Sequence, residues 1–135
     1  MVVPAPSGGT EAGFKPHTIL IVEDEVLIRM MTSDALRSRG MTVIEAATAE
    51  EALVVLQSDH AVDLLLSDVR LPGTMNGAAL AAWAREHLPD LKIVIAASHF
   101  EPAPGASVDA VFHKPYDLDE MGECVTNLLA GTHGD

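Results

Sequence analysis

Short apolar runs rich in branched side chains recur along most of the chain, separated by longer stretches of mixed polarity. The runs are four to seven residues long, at 18–22, 42–45, 64–67, 91–97 and 108–112. Runs of this length that lack polar alternation are typical of strands buried on both faces of a parallel sheet. The pattern therefore predicts five strands.

The stretches between the strands carry helix signals. Thr48 and Glu51 have the spacing of a capping box, and Asn76 and Asp117 stand where a side-chain N-cap is expected. Gly40 follows a helical pattern and is expected to end it. In that first helix, Met30 and Met31 fall in an apolar stripe, which predicts that they fill the core.

Strands that alternate with amphipathic helices indicate an α/β fold with a parallel sheet covered on both faces. We predict a flavodoxin-like, doubly wound, five-stranded sheet of order 2-1-3-4-5. Pro102 and Pro104 lie between the fourth and fifth strands. Because proline is poorly tolerated inside a helix, the fourth helix of the regular alternation is predicted to be short or missing.

The charge balance limits the classes of partner. The chain has 20 acidic and 8 basic residues and a net charge of −12. Such a chain is poorly suited to nucleic acid or an anionic membrane, but it suits divalent cations and basic protein surfaces. The single Cys124 cannot form an internal disulfide, and no apolar run approaches the roughly 18 residues that span a bilayer. We therefore expect a cytoplasmic protein.

Charged residues follow three of the predicted strands. Glu23 and Asp24 follow the first, Asp68 follows the third and Lys114 follows the fifth. Parallel topology places these strand ends on one edge, where open α/β sheets bind ligands. Three carboxylates remain ionised together when a cation is present, and oxygen ligands of this kind suit Mg²⁺. Asp68 could then act as the nucleophile that forms an aspartyl phosphate, with Lys114 supplying positive charge to the phosphate.

These pieces, in this order and spacing, resemble the receiver domain of bacterial two-component response regulators. The resemblance covers about residues 18–129, and its Leu-Pro-Gly-Thr-Met-Asn-Gly segment is similar to receivers of hybrid histidine kinases. It implies that Asp68 is the phosphoacceptor and that Lys114 contacts the phosphoryl group, with a cis bond to the following proline. It also implies that Asp24 binds Mg²⁺ directly, Glu23 through water, and Arg70 through its backbone carbonyl.

The resemblance further implies the partners and the boundaries. The phosphoryl group would come from a phosphohistidine on a histidine kinase or histidine phosphotransfer protein, and an unknown output protein would respond. The chain would catalyse only its own phosphorylation and dephosphorylation. The expected receiver spans 17–130, with a flexible N-terminal tail at 1–16 and a C-terminal tail at 131–135. Whether it stands alone or belongs to a hybrid kinase is left open.

Two positions depart from the family pattern. Receivers usually carry Thr or Ser at the end of strand four, where this chain has Ala97, followed by Ser98. Either Ser98 takes over the contact with the phosphoryl group or that contact is missing. Val111 replaces the usual aromatic residue of strand five. The alternative function is therefore a receiver-like interaction module uncoupled from phosphorylation. A phosphatase of the Asp-x-Asp type is disfavoured because Arg70 replaces the second acid.

Overall fold

The computed structural model of the chain describes residues 16–98 and 108–131. Within them, five strands and four helices alternate. The strands are β1 (Thr18–Val22), β2 (Thr42–Ala46), β3 (Leu64–Asp68), β4 (Lys92–Ala97) and β5 (Ala110–His113). The helices are α1 (Val26–Arg37), α2 (Ala49–Leu56), α3 (Gly77–His87) and α4 (Leu118–Ala130). The predicted alternation is confirmed.

All five strands are parallel, and their order across the sheet is β2-β1-β3-β4-β5. This is the predicted order 2-1-3-4-5. Val22 pairs with Ser67, and Asp68 pairs with Ala96, so neighbouring strands end at nearly the same level. The residues that follow the strands therefore meet at one edge, as the sequence indicated.

Helices cover both faces of the sheet. Side chains of a strand point alternately to its two faces, and β1 shows this directly. Leu20 and Val22 belong to the core under α2 and α3, whereas Ile19 and Ile21 belong to the core under α1 and α4. All five residues of β3 are buried. The central strand is thus enclosed, and its carboxyl end meets a cavity.

The predicted helix caps are confirmed. Three side chains accept hydrogen bonds from backbone N–H groups in the first turns, namely Thr48 from Glu51 (3.0 Å), Asn76 from Ala79 (2.8 Å) and Asp117 from Glu120 (3.0 Å). The Glu51 carboxylate accepts from the Ala47 N–H at 2.7 Å, one residue earlier than a capping box requires. These bonds fix where α2, α3 and α4 begin relative to the strand ends.

The predicted orientation of α1 is wrong. Met30 and Met31 are each 50% exposed, and the buried face consists of Thr32, Ser33 and Leu36. One polar residue of this buried face, Thr32, has a partner on another part of the chain. Thr32 Oγ1 lies 3.0 Å from the hydroxyl oxygen of Tyr116, a hydrogen bond that joins α1 to the loop before α4. A stripe of apolar residues alone does not reveal that a helix buries polar side chains such as Thr32.

β5 begins at Ala110, two residues later than predicted. The Asp109 carboxylate accepts hydrogen bonds from the Ile93 N–H and from Arg85, both at 2.8 Å, so its side chain caps the start of β4 and β5. The predicted short or missing fourth helix, with both prolines, falls within 99–107 and so lies outside the described residues. The predicted tails also lie outside them, except for Pro16 and Gly131. No helix in the described part of the chain is long and apolar enough to cross a membrane.

Candidate functional site

Asp68 is the last residue of the central strand and is 7% exposed. The backbone continues its pairing one residue further, because the Val69 N–H donates to the Ala96 carbonyl at 2.9 Å. The Asp68 side chain accepts a hydrogen bond from Lys114 Nζ at 2.9 Å. Because the sheet holds the backbone of Asp68 in place, its carboxylate is well suited to chemistry that requires a fixed nucleophile.

Glu23 and Asp24 follow β1 at the same edge. The Glu23 N–H donates to the Ala46 carbonyl at 3.0 Å, which extends the β1–β2 pairing past the end of β1. Glu23 is 4% exposed, whereas Asp24 is exposed. Ligand oxygens of Glu23, Asp24 and Asp68 all lie within 4.8 Å of one another. The three predicted metal-binding carboxylates are thus brought together.

Lys114 joins the two buried acids. Its Nζ lies 2.8 Å from Glu23 Oε1 and 2.9 Å from Asp68 Oδ2. The backbone N–H of Lys114 donates to the Ala97 carbonyl at 2.8 Å. Burial lowers the pKa of Lys114, but hydrogen bonds to and charges of both acids outweigh this and raise the pKa above its ordinary value. The ammonium is therefore charged at neutral pH. The predicted cis bond to Pro115 is present.

The donor set fits a hard divalent cation. One ammonium offsets only one of the three negative charges that converge here, so a further cation is needed to balance them. All the donors are carboxylate oxygens, which Mg²⁺ prefers. Among the residues that the structure describes, no other group of three acidic, histidine or cysteine side chains is close enough to hold a metal. The triad is consistent with the Mg²⁺ site typical of receivers.

The predicted site residues line one cavity of about 480 Å³ at the carboxyl edge. Its lining consists of Glu23, Asp24, Glu25, Ile28, Asp68, Arg70, Ser98 and Lys114. Ser98 directly follows β4, while the preceding Ala97 is buried in the sheet. A hydroxyl is therefore present in the cavity wall one residue beyond the position where the family carries it.

Gly77 supports the site in a way that the sequence analysis did not identify. Its N–H donates to the Val69 carbonyl at 2.7 Å, and a Cβ added here would overlap the Asp68 carbonyl oxygen. The first turn of α3 thus packs directly on the backbone of Asp68. The available sequence signal was a glycine immediately after the N-cap Asn76, where most side chains would fit equally well in an isolated helix.

A second cavity, of about 330 Å³, adjoins the first and shares Ile28 and Lys114 with it. Its remaining lining is Met31, Thr32, Pro115, Tyr116 and Leu118. Four large apolar side chains of α1 are 50–65% exposed, and we call them the α1 apolar surface: Val26, Leu27, Met30 and Met31. Of these, Met31 also lines the second cavity. The acidic cavity therefore adjoins a second cavity whose lining includes one residue of this exposed apolar surface.

A family model described as the response regulator receiver domain matches residues 19–126. The chain is 37% identical over 118 residues to the sensor kinase CckA of Brucella abortus, covering 83% of this chain and 12% of CckA. It is 34% identical over 117 residues to the transcriptional regulator NtrC of Salmonella typhimurium, covering 83% of this chain and 24% of NtrC. The chain thus spans only a minor part of the length of each of these relatives.

Solved structures agree with this match. A response regulator receiver domain protein (CheY-like) from Methanospirillum hungatei has a TM-score of 0.81 at 27% identity, covering 88% of this chain and 98% of that one. TrrA of Thermotoga maritima, solved in complex with Mg(2+)-BeF, has a TM-score of 0.75 at 30% identity, covering 83% and 98%. Nearly the whole of each of these chains has a counterpart here.

Proposed function

The chain belongs to the response regulator receiver domain family, and from this premise we propose that Asp68 accepts a phosphoryl group from a phosphohistidine. The observation that carries the proposal is the buried Asp68 carboxylate, 2.9 Å from Lys114 in a cavity with three further acids. An Asp68 oxygen attacks phosphorus and forms an O–P bond. The N–P bond breaks, and its electron pair stays on the departing imidazole.

The other site residues have distinct roles in this proposal. Asp24 and Asp68 would hold Mg²⁺ directly, together with the backbone carbonyl of Arg70, and Glu23 would hold it through a water molecule. When bound, the metal neutralises negative charge on the acids and on the phosphoryl oxygens. Lys114 binds a phosphoryl oxygen through the ammonium that now lies on Asp68. The hydroxyl of Ser98 donates a hydrogen bond to another phosphoryl oxygen.

The donor is a histidine kinase or histidine phosphotransfer protein. Its imidazole must come within bonding distance of Asp68, so its surface must cover the rim of the cavity. The α1 apolar surface lies on the same helix that supplies Ile28 to the cavity wall, and it offers side chains such as Leu27, 65% exposed, to a protein partner. A net charge of −12 favours basic residues around the donor histidine. Output follows by contact with a further protein, in the cytoplasm.

A second function is favoured by Ala97 and Val111. Ala97 ends β4 without a hydroxyl, and Val111 provides no ring in β5, where the family usually has the two residues that respond to the phosphoryl group. A chain that accepts phosphate without changing its surface would act as an interaction module or a phosphate sink. Amide chemical shifts recorded with and without beryllofluoride distinguish the two. Shifts confined to the cavity support uncoupling, and shifts through Val111 into α4 contradict it.

The primary proposal is tested by intact-protein mass spectrometry. The chain is incubated with acetyl phosphate and Mg²⁺, and we expect a species heavier by one phosphoryl group. Removing the metal with EDTA, or replacing the nucleophile in Asp68→Asn, should abolish it. A chain that gains no phosphoryl group under conditions that label another receiver would refute the proposal. Labelling that persists in Asp68→Asn would refute the assignment of the acceptor.

A further inference from the structure

Arg29 of α1 makes a forked contact beside the acidic loop. Its Nη1 donates to the Glu23 backbone carbonyl at 2.7 Å, and its Nε pairs with Glu45 Oε1 of β2 at 3.2 Å. The Arg29 side chain is 18% exposed, so much of this contact is shielded from water. A guanidinium is planar, so holding two acceptors at once fixes its orientation. Arg29 thereby ties the loop to the neighbouring strand.

The contact completes the restraint of Glu23. Its N–H is bonded to Ala46 and its Oε1 to Lys114, while its Oε2 accepts from the Glu25 N–H at 3.1 Å. The remaining polar group of the residue is the backbone carbonyl, and Arg29 is the donor to it. This carbonyl belongs to the peptide that joins Glu23 to Asp24. A rotation of that peptide would move both carboxylates relative to Asp68.

We propose that Arg29, held in place by Glu45, is a positioning residue that presets the Glu23–Asp24 peptide for divalent cation binding. This inference rests on the proposed function, since it concerns the same acidic triad. For the removal of Arg29, the proposal predicts a change in Mg²⁺ affinity opposite to the change that simple electrostatics predicts. A guanidinium near three carboxylates repels a metal cation, so its charge alone would weaken binding. If geometry dominates, removing Arg29 weakens binding despite the lost repulsion.

Arg37 provides a matched control. It lies on the same helix and pairs with the same carboxylate, Nη1 to Glu45 Oε2 at 3.2 Å. Its other contacts are a hydrogen bond to the Val43 carbonyl at 3.1 Å and an ion pair with Asp34 Oδ1 at 4.0 Å, neither of them with the acidic loop. Arg37→Gln therefore removes the same charge and a similar pair of bonds without freeing the Glu23–Asp24 peptide.

The experiment is calorimetric titration of Mg²⁺ into the full chain, into Arg29→Gln and into Arg37→Gln. We expect roughly ten-fold weaker binding in Arg29→Gln, the size of one lost hydrogen bond from a charged donor. Arg37→Gln should stay within about two-fold of the parent or bind slightly tighter. Equal or tighter Mg²⁺ binding by Arg29→Gln would overturn the inference.

A measurement on the metal-free chain tests the same inference. Because the Glu25 N–H donates to Glu23 Oε2, its amide resonance reports on the loop in the metal-free chain. It should shift in Arg29→Gln and not in Arg37→Gln, and an unmoved resonance counts against positioning. Should circular dichroism show Arg29→Gln unfolded, Arg29→Lys against Arg37→Lys makes the same comparison with the charge retained. Equal affinities there also overturn the inference.

Different results would overturn the proposed function and the inference about Arg29. A parent chain that binds no Mg²⁺ overturns the proposed function, and this inference with it. A parent that binds Mg²⁺, paired with an Arg29→Gln variant of unchanged affinity, overturns the inference alone.

Discussion

Replacing Gly77 by alanine should damage the site through the backbone of Asp68. The new Cβ would overlap the Asp68 carbonyl oxygen, and it would lie 2.8 Å from the Asp68 carbonyl carbon and 2.9 Å from the Val69 Cα. All three atoms belong to backbone, which cannot swing aside as a side chain can. Either the first turn of α3 or the end of β3 must move.

The size of the effect follows from two opposing contributions. Forcing a methyl group into a packed interior costs about 1–3 kcal/mol. Alanine is the better helix former, and this returns up to about 1 kcal/mol. We therefore expect a net loss of up to about 3 kcal/mol in the free energy of unfolding, centred on about 1–2 kcal/mol. Because a displacement of about 1 Å at a reacting group can slow a reaction greatly, we also expect acetyl phosphate labelling to slow on the order of ten-fold or more.

Gly122 of α4 provides the matched control, since it is also a helical glycine. The three atoms nearest to a Cβ there all belong to the exposed side chain of Arg39, which can move away. Gly122→Ala should therefore leave stability unchanged or raise it by up to about 1 kcal/mol, with normal labelling. Urea unfolding followed by circular dichroism gives the stabilities. Equal stability and equal labelling rates for the two variants would refute the close-approach argument.

Three further predictions rest on single side chains. The two carboxylates raise the pKa of Lys114, so its stabilisation is fully present below about pH 10.4 and lost as the pH rises through the raised value. Urea unfolding should show the gap between parent and Lys114→Met shrinking above that pH, and a constant gap would contradict this. Burial raises the pKa of Tyr116, the chain's one tyrosine, so absorbance titration should show ionisation above the ordinary value. Removing the Thr32 hydrogen bond should raise that pKa further, and a midpoint at or below the ordinary value would be inconsistent. Ser33 Oγ is buried with no partner among the described residues, so Ser33→Ala should raise the free energy of unfolding by about 1 kcal/mol rather than lower it.

The features that the sequence revealed are those encoded locally. β3 is a continuous apolar run because both of its faces are covered, and such a run is visible without knowing its neighbours. The caps Thr48, Asn76 and Asp117 are equally local, since each bonds a residue three positions ahead. The meeting of Glu23 with Asp68 followed from a general rule about parallel strand ends.

The features that it did not reveal depend on partners distant in the chain. Apolar spacing predicts Met30 in the core, whereas α1 buries Thr32, whose hydroxyl is hydrogen-bonded to Tyr116, 84 residues away. The role of Arg29 depends on Glu45, 16 residues away on another element. The spacing of apolar residues does not identify such contacts, because they form only when the fold brings distant elements together.

The most direct test of the central claim locates the phosphoryl group itself. After labelling with acetyl phosphate and Mg²⁺, borohydride reduces an aspartyl phosphate to homoserine, and tandem mass spectrometry of the peptides identifies the altered residue. The account predicts homoserine in place of Asp68, the buried carboxylate 2.9 Å from Lys114, and at no other acid. Modification of Asp24 or Glu23 instead, or of no carboxylate in a labelled chain, would contradict it.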